Sequence, residues 1–137
     1  METVKETIVR TYQNYIKEFQ SLKPAAIVPF YHMPFMSVSS QRVRVLTTPS
    51  EIEQNFGRHM EILKKYDYVK TKITDINIKE LSEGLALMSV SLERFASDGE
   101  QIGSENAIST YTYTFRKVAD DWKIVVTMAH DALLRLD

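Results

Sequence analysis

The sequence predicts an α+β domain in which helices come first and a meander of long antiparallel strands follows. Three observations carry that prediction. Apolar residues recur at helical spacing over the first part of the chain, the period changes to two from Tyr68 onward, and Ser82-Glu83-Gly84, Ser97-Asp98-Gly99 and Asp120-Asp121 punctuate the second part as turns. Helices followed by strands place the helices on one face of the sheet. With 137 residues the chain forms one domain, 1–137, able to bury roughly two-thirds of its unfolded surface.

Each element has a local reason. Thr3 caps a first helix, with Glu6 at capping-box spacing. Val4, Ile8, Tyr12, Tyr15, Ile16, Phe19 and Leu22 then form its apolar face. Pro24 ends that helix and opens a short second one through Ala25, Ala26 and Ile27, which Pro29 and Pro34 limit. Phe35 to Val45 reads as one or two short strands around a turn at Ser39 to Gln41. A third helix starts at Thr48 or Ser50, and Ile52, Phe56, His59, Leu63 and Tyr66 fall within one narrow arc of it. Four strands follow: Tyr68 to Leu81, Leu85 to Ala96, Ser104 to Val118 and Trp122 to Asp131.

Alternation sorts the strand residues into faces. Between Leu85 and Ala96, one face holds Ala86, Met88, Val90, Leu92 and Arg94, and the other holds Leu85, Leu87 and Phe95 among serines and Glu93. On the last strand Trp122, Ile124, Val126, Met128 and His130 form one stripe. A hairpin turning on Asp120-Asp121 sets Tyr113 opposite Met128 and Tyr111 opposite His130, with Tyr111, Tyr113 and Phe115 beside the stripe. A register one residue off brings Thr110, Thr112 and Thr114 there instead. The first is preferred because it groups the large apolar residues. The back face then shows threonines, Arg116 and Lys123, which suits solvent or a wet subunit interface.

Composition excludes several function classes. Net charge is −1, with 44% hydrophobic and 26% charged residues, and no basic block of the kind that binds nucleic acid. Without cysteine there is no disulfide, thiolate site or thiol nucleophile. The three histidines have no metal-ligand spacing, and the scattered glycines form no phosphate loop, so neither a metal nor a cofactor is expected. Met-Glu-Thr-Val-Lys-Glu is not a signal peptide, and no stretch approaches the ~18 apolar residues of a spanning helix. The expectation is a cytoplasmic protein that binds neither membrane nor nucleic acid.

Three segments together resemble the nuclear transport factor 2-like superfamily, which includes SnoaL-like polyketide cyclases and ketosteroid isomerases. They are the helices leading to Phe30-Tyr31-His32-Met33-Pro34, the segment from Val69 through Ile73, Ile78 and Leu81 to Gly84-Leu85-Ala86-Leu87, and the hairpin from Tyr111 through Phe115-Arg116-Lys117 and Asp121-Trp122-Lys123-Ile124 to His130. The resemblance covers nearly the whole chain. It implies a cone: a strongly bent, mainly antiparallel sheet with about three helices on its concave side, an apolar pocket at one end and a homodimer through the outer face. Enzymes of the superfamily place an Asp or His in that pocket as acid or base, while other members are binding or scaffold modules. This chain shows no Arg-x-Asp on an inner strand face and no carboxylate assigned to the cone.

The candidate catalytic residues are His130, whose ordinary pKa near ~6.5 suits proton transfer, and Tyr111, its cross-strand neighbour in the preferred register. The other reading of His130 is a satisfied core histidine. His32, after Tyr31 in an irregular segment, is placed at the pocket mouth, against the reading of an ordinary loop residue. Tyr12 and Tyr15 on the first helix either reach a ligand or pack helix to sheet. Arg94 either holds an anionic group or snorkels to water. Trp122 and Met128 complete the ligand-binding set, and His59 is read as structural. The leading functional expectation is a cone protein binding a small hydrophobic molecule, with acid–base isomerase, cyclase or dehydratase chemistry on a carbonyl compound if it is enzymatic. The rival is a dimeric scaffold whose cone is filled by side chains.

Overall fold

The computed structural model describes residues 1–103, 109–131 and 134–136. Helix α1, Val4–Phe19, begins at the expected capping box. The Glu6 N–H donates to the Thr3 hydroxyl at 3.1 Å, and the Thr3 N–H donates to the Glu6 carboxylate at 3.3 Å. Its Ile8, Tyr12, Tyr15, Ile16 and Phe19 are buried. Pro24 opens α2, Pro24–Ile27, and one 3-10 turn leads into β1, Tyr31–Val38. The irregular segment expected around His32 is therefore strand, because β1 runs parallel to a strand almost a hundred residues later, and local turn signals do not report that pairing. Pro34 falls in the stretch between Tyr31 and Met36 where the register is irregular, a place that tolerates a missing N–H.

Strand β2, Val43–Leu46, precedes α3, Pro49–Lys65, whose first N–H groups are capped by Thr48. Its buried residues are Ile52, Met60 and Leu63, with Phe56 and His59 half-buried. Tyr66, expected on this face, forms the C-cap and is 60% exposed, because the helix ends before the arc reaches it. Strands β3, Tyr68–Ser82, β4, Leu85–Ala96, β5, Ser109–Val118, and β6, Asp121–His130, follow. The start expected for the third long strand, residues 104–108, lies outside the described residues. Gly84, at φ 80°, makes the tight β3–β4 turn that a side chain would strain.

The sheet runs β2-β1-β6-β5-β4-β3, bent and unclosed, antiparallel throughout except for β1 against β6. The fold is α+β, as expected. The helices cover the concave face, where Met88, Val90 and Leu92 of β4 and Tyr113 and Phe115 of β5 are buried against α1 and α3. The expected division of β4 holds, because its pairing with β5 carries no irregularity.

The last hairpin departs from expectation in two ways. Val118 pairs with Asp121, so the loop is Ala119-Asp120, with Ala119 at φ 57°. Phe115 pairs with Ile124 while Thr114 pairs with Val126, leaving Val125 as an extra residue, a bulge. The bulge splits the stripe. Trp122 and Ile124 stay on the concave side with Phe115, and Thr127 and Ala129 join them beyond the bulge, opposite Tyr113 and Tyr111. Val126, Met128 and His130 switch to the convex side, opposite Thr114, Thr112 and Thr110. Arg116 and Lys123 lie on the convex face, as expected, and the observed register pairs them.

Candidate functional site

One half of the cone is filled. The Tyr12 and Tyr113 hydroxyls meet at 3.0 Å and those of Tyr15 and Tyr31 at 2.5 Å, so these buried phenols satisfy each other. Burial raises the pKa of all of them far above the ordinary tyrosine value, so each remains a neutral hydroxyl.

Above this aromatic floor lies a cavity of about 130 Å3. Phe56 and His59 of α3 close it from the helix side, and Ser37, Thr127, Ala129 and Arg94 reach it from the sheet. A separate extension of about 30 Å3, which shares Tyr15, Phe19, Arg94 and Tyr113 with the cavity's lining, lies between Tyr12, Thr71, Leu92 and Arg94. Ala129 is exposed and, with Tyr111, also lines a surface groove next to Ser39, Gln41 and His130, which marks the cavity's mouth.

Arg94 dominates the electrostatics. Its Nη1 donates to Ser109 Oγ at 2.8 Å, its Nη2 donates to Tyr111 Oη at 3.3 Å, and the guanidinium sits 5.9 Å from the Tyr111 ring centre. Its Nε is buried with no acceptor. Among the described residues no carboxylate forms an ion pair with it. Burial opposes its charge, but the oxygens of Tyr111, Tyr113 and Tyr12 favour the cation and together outweigh it, so the pKa stays above the ordinary arginine value. Elsewhere in the cavity wall, Thr127 Oγ1 is also buried without a partner. His59 is held neutral: burial first, and the Arg94 charge second, push its pKa down to about 4. No hydrogen bond to its ring is made among the described residues; it only tilts against Phe19.

The expected site residues thus separate. Tyr15, Tyr31, Tyr111 and Arg94 line the cavity, and Tyr12 lines its extension. His130 and Tyr111, expected as a cross-strand pair, stand on opposite faces. His130 pairs with Thr110, and its Nε2 lies 2.7 Å from Thr112 Oγ1 on the convex side. Met128 leaves the concave face with it. Trp122 is on the concave side but at the filled end, beside Pro29, Phe30 and Asn14. His32 is held on the surface of β1, where Arg116 Nη1 lies 3.0 Å from its Nε2 and Nδ1 lies 2.9 Å from the Pro34 carbonyl. Sequence reasoning missed Thr127 as an inward residue and His59 as a cavity residue. A histidine in an otherwise apolar helical arc was the available signal for the latter.

A bent sheet wrapped around three helices, filled at one end and hollow at the other, defines a cone-fold protein. The chain belongs to a family of NTF2-like proteins, DUF6841, whose profile matches residues 5–132. Comparison with curated proteins finds no match. Among solved structures it is similar to an NTF2-like protein of unknown function from Shewanella oneidensis, at 16% identity over 94% of this chain and 100% of that one, with a TM-score of 0.72. It is also similar to yeast UBP3-associated protein Bre5 (16% identity, 98% and 99% covered, TM-score 0.72). A third is a putative calcium/calmodulin-dependent protein kinase II association domain from Xanthomonas campestris (14%, 94% and 89%, 0.69). At these identities the likeness concerns the fold alone. No helix of the described residues is long and apolar enough to cross a membrane.

Proposed function

We propose that this protein is a cone-fold receptor for a small, largely apolar molecule carrying one negative charge, bound by Arg94. The observation that carries the reading is a half-buried guanidinium whose Nε is buried without an acceptor and which faces no carboxylate among the described residues. Buried charges in folded proteins are paired. A cation left unpaired inside an aromatic cavity is explained by a partner that arrives from outside. The expected hydrophobic ligand thereby acquires an acidic group. If the protein turns its ligand over, His59 is the favoured histidine, because it lines the cavity while His130 lies outside it, in the groove at its mouth. The test is ligand-observed NMR with matched anionic and neutral fragments, such as benzoate against benzyl alcohol. Wild-type protein retains the anion preferentially and Arg94→Met loses that preference by tenfold or more. Equal retention of neutral and anionic fragments by both proteins overturns the reading.

A second observation supports the homodimer expected from the fold. On the convex side Val43 and Val45 are 60% and 56% exposed, and the pairing sets Met36, Val38, Val126 and Met128 beside them as one apolar patch. The neighbouring part of that face is occupied by the chain itself: the Leu134 N–H donates to Ser89 Oγ, and Arg135 pairs with Asp75. Sedimentation of wild type and of Val43→Lys/Val45→Lys tests this reading; a wild-type monomer at micromolar concentration refutes it.

A further inference from the structure

Size and polarity of the cavity narrow the ligand beyond a small anion. An apolar cavity of ~150 Å3 accommodates benzene, and the cavity here is about 130 Å3 with an extension of about 30 Å3 alongside Arg94. That admits one ring with small substituents and excludes fused polycyclic compounds. The walls are rings: Tyr15, Phe19, Tyr31, Phe35, Phe56 and Tyr113 all line the space. Aromatic pairs prefer offset or edge-to-face contact, and several of these rings already meet edge-on or tilted, as Tyr31 does with Phe35 at 4.6 Å and with Tyr15 at 5.8 Å.

The polar groups fix the two ends. Arg94 supplies the only formal charge among the described lining residues, which matches a monoanion and leaves a dianion half-compensated. Thr127 stands two strands from Arg94 and level with Met88, six residues further along β4, so their backbones are roughly 20 Å apart and their side chains reach the cavity from opposite ends. The unpartnered Thr127 hydroxyl, with His59 also lining the cavity, calls for a second, neutral hydrogen-bonding group remote from the acid.

Resting on the reading of Arg94 as an anion receptor, we infer that the ligand class is a monocyclic aromatic monocarboxylate with a ring hydroxyl. Its carboxylate lies at Arg94, its ring among the aromatic walls and its hydroxyl toward Thr127 and His59.

The experiment is calorimetric titration of wild type, Thr127→Val and Arg94→Met with 3- and 4-hydroxybenzoate, benzoate, cyclohexanecarboxylate, acetate and succinate. One hydroxybenzoate is expected to bind tightest, about tenfold tighter than benzoate, with that margin lost in Thr127→Val. Benzoate in turn should exceed acetate, succinate and cyclohexanecarboxylate, and every acid should be lost in Arg94→Met. If acetate or cyclohexanecarboxylate binds as tightly as the aromatic acids in an Arg94-dependent way, the ligand class is wrong and the anion receptor stands. The ligand class is equally wrong if benzoate matches both hydroxybenzoates, or if Thr127→Val keeps the margin. If no acid binds wild type, both readings fall. Thr127→Val is nearly isosteric and removes a hydroxyl that has no partner, so a folded variant is available for the comparison.

Discussion

Arg94→Met separates a cation kept for a ligand from a cation kept for the fold. Methionine retains the apolar stem and removes the charged head. Two hydrogen bonds go with that head. The bond to Ser109 at 2.8 Å is a good charged bond of ~1.5–3 kcal/mol, while the bond to Tyr111 at 3.3 Å contributes much less. The guanidinium over the Tyr111 ring, at 5.9 Å, is near the limit of cation–π range and contributes ~0.5 kcal/mol. Against these losses, the variant no longer buries Nε without an acceptor, a penalty of ~1–3 kcal/mol or more for a charged group. The residue as a whole is half-buried and the tyrosine oxygens around it favour the cation, so no further cost of holding the whole charge out of water is added. The terms nearly cancel and leave the variant within about 2 kcal/mol of wild type.

Urea denaturation followed by circular dichroism reads this directly. With a slope of ~1–3 kcal/mol per molar for a small protein, the variant's midpoint stays within about 1 M of wild type. An Arg94-dependent acid at ten times its Kd adds ~1.4 kcal/mol to wild type and nothing to the variant. A variant destabilised by more than about 2 kcal/mol shows Arg94 to be a structural cation whose bonds to Ser109 and Tyr111 outweigh the burial of its Nε. No external partner is then needed to account for it.

Two further outcomes follow from the geometry. His59 is neutral in the fold, with its pKa lowered to about 4, whereas the unfolded chain titrates near ~6.5. The unfolded state therefore binds the extra proton first, and the stability associated with neutral His59 is fully present above pH ~6.5 and lost as pH falls toward about 4. That loss amounts to about 2–3 kcal/mol, and NMR titration of the ring together with the pH dependence of unfolding in His59→Leu checks it. Ala119 holds φ 57° in the β5–β6 turn, so Ala119→Gly relieves left-handed strain and stabilises by about 1 kcal/mol, read as a higher unfolding midpoint; an unchanged or lower midpoint contradicts the strain.

The elements and one wall of the site were legible because they depend on local rules. The capping box at Thr3 and Glu6, Pro24 as a helix opener, Gly84 in its turn, and the alternation from Ala86 to Arg94 each need only a few neighbouring residues. Arg94 on the concave side followed from that alternation, and it is the residue on which the functional reading rests. What failed depends on distant parts of the chain. Nothing at Val125 marks a bulge: no glycine or proline is there, and an extra β-branched residue fits a strand as well as any other. Yet that one residue carries His130 and Met128 out of the cone and turns Thr127 into it. His59 was misread for a related reason. Whether a histidine on an apolar helix face is packed or faces a hollow depends on how far α3 stands from the sheet, which no spacing within α3 encodes.

The bulge also explains how an aromatic cone acquires polar tips. Without it, β6 would continue its large apolar stripe across the concave face, with Val126 and Met128 filling the space beneath Phe56 and His59. With it, the inward residues beyond Ile124 become Thr127 and Ala129, both small, and a cavity remains in which Arg94 is left unmatched. Bulges bend a strand and increase its twist as well as re-aiming its side chains. The same extra residue therefore helps curve the sheet around the helices and hollows the end of the cone it curves. Deleting Val125 tests both roles at once. Restoring the register should push Met128 inward, fill the cavity and abolish anion binding, and a ΔVal125 protein that folds and still binds an acid through Arg94 would separate the bulge from the site.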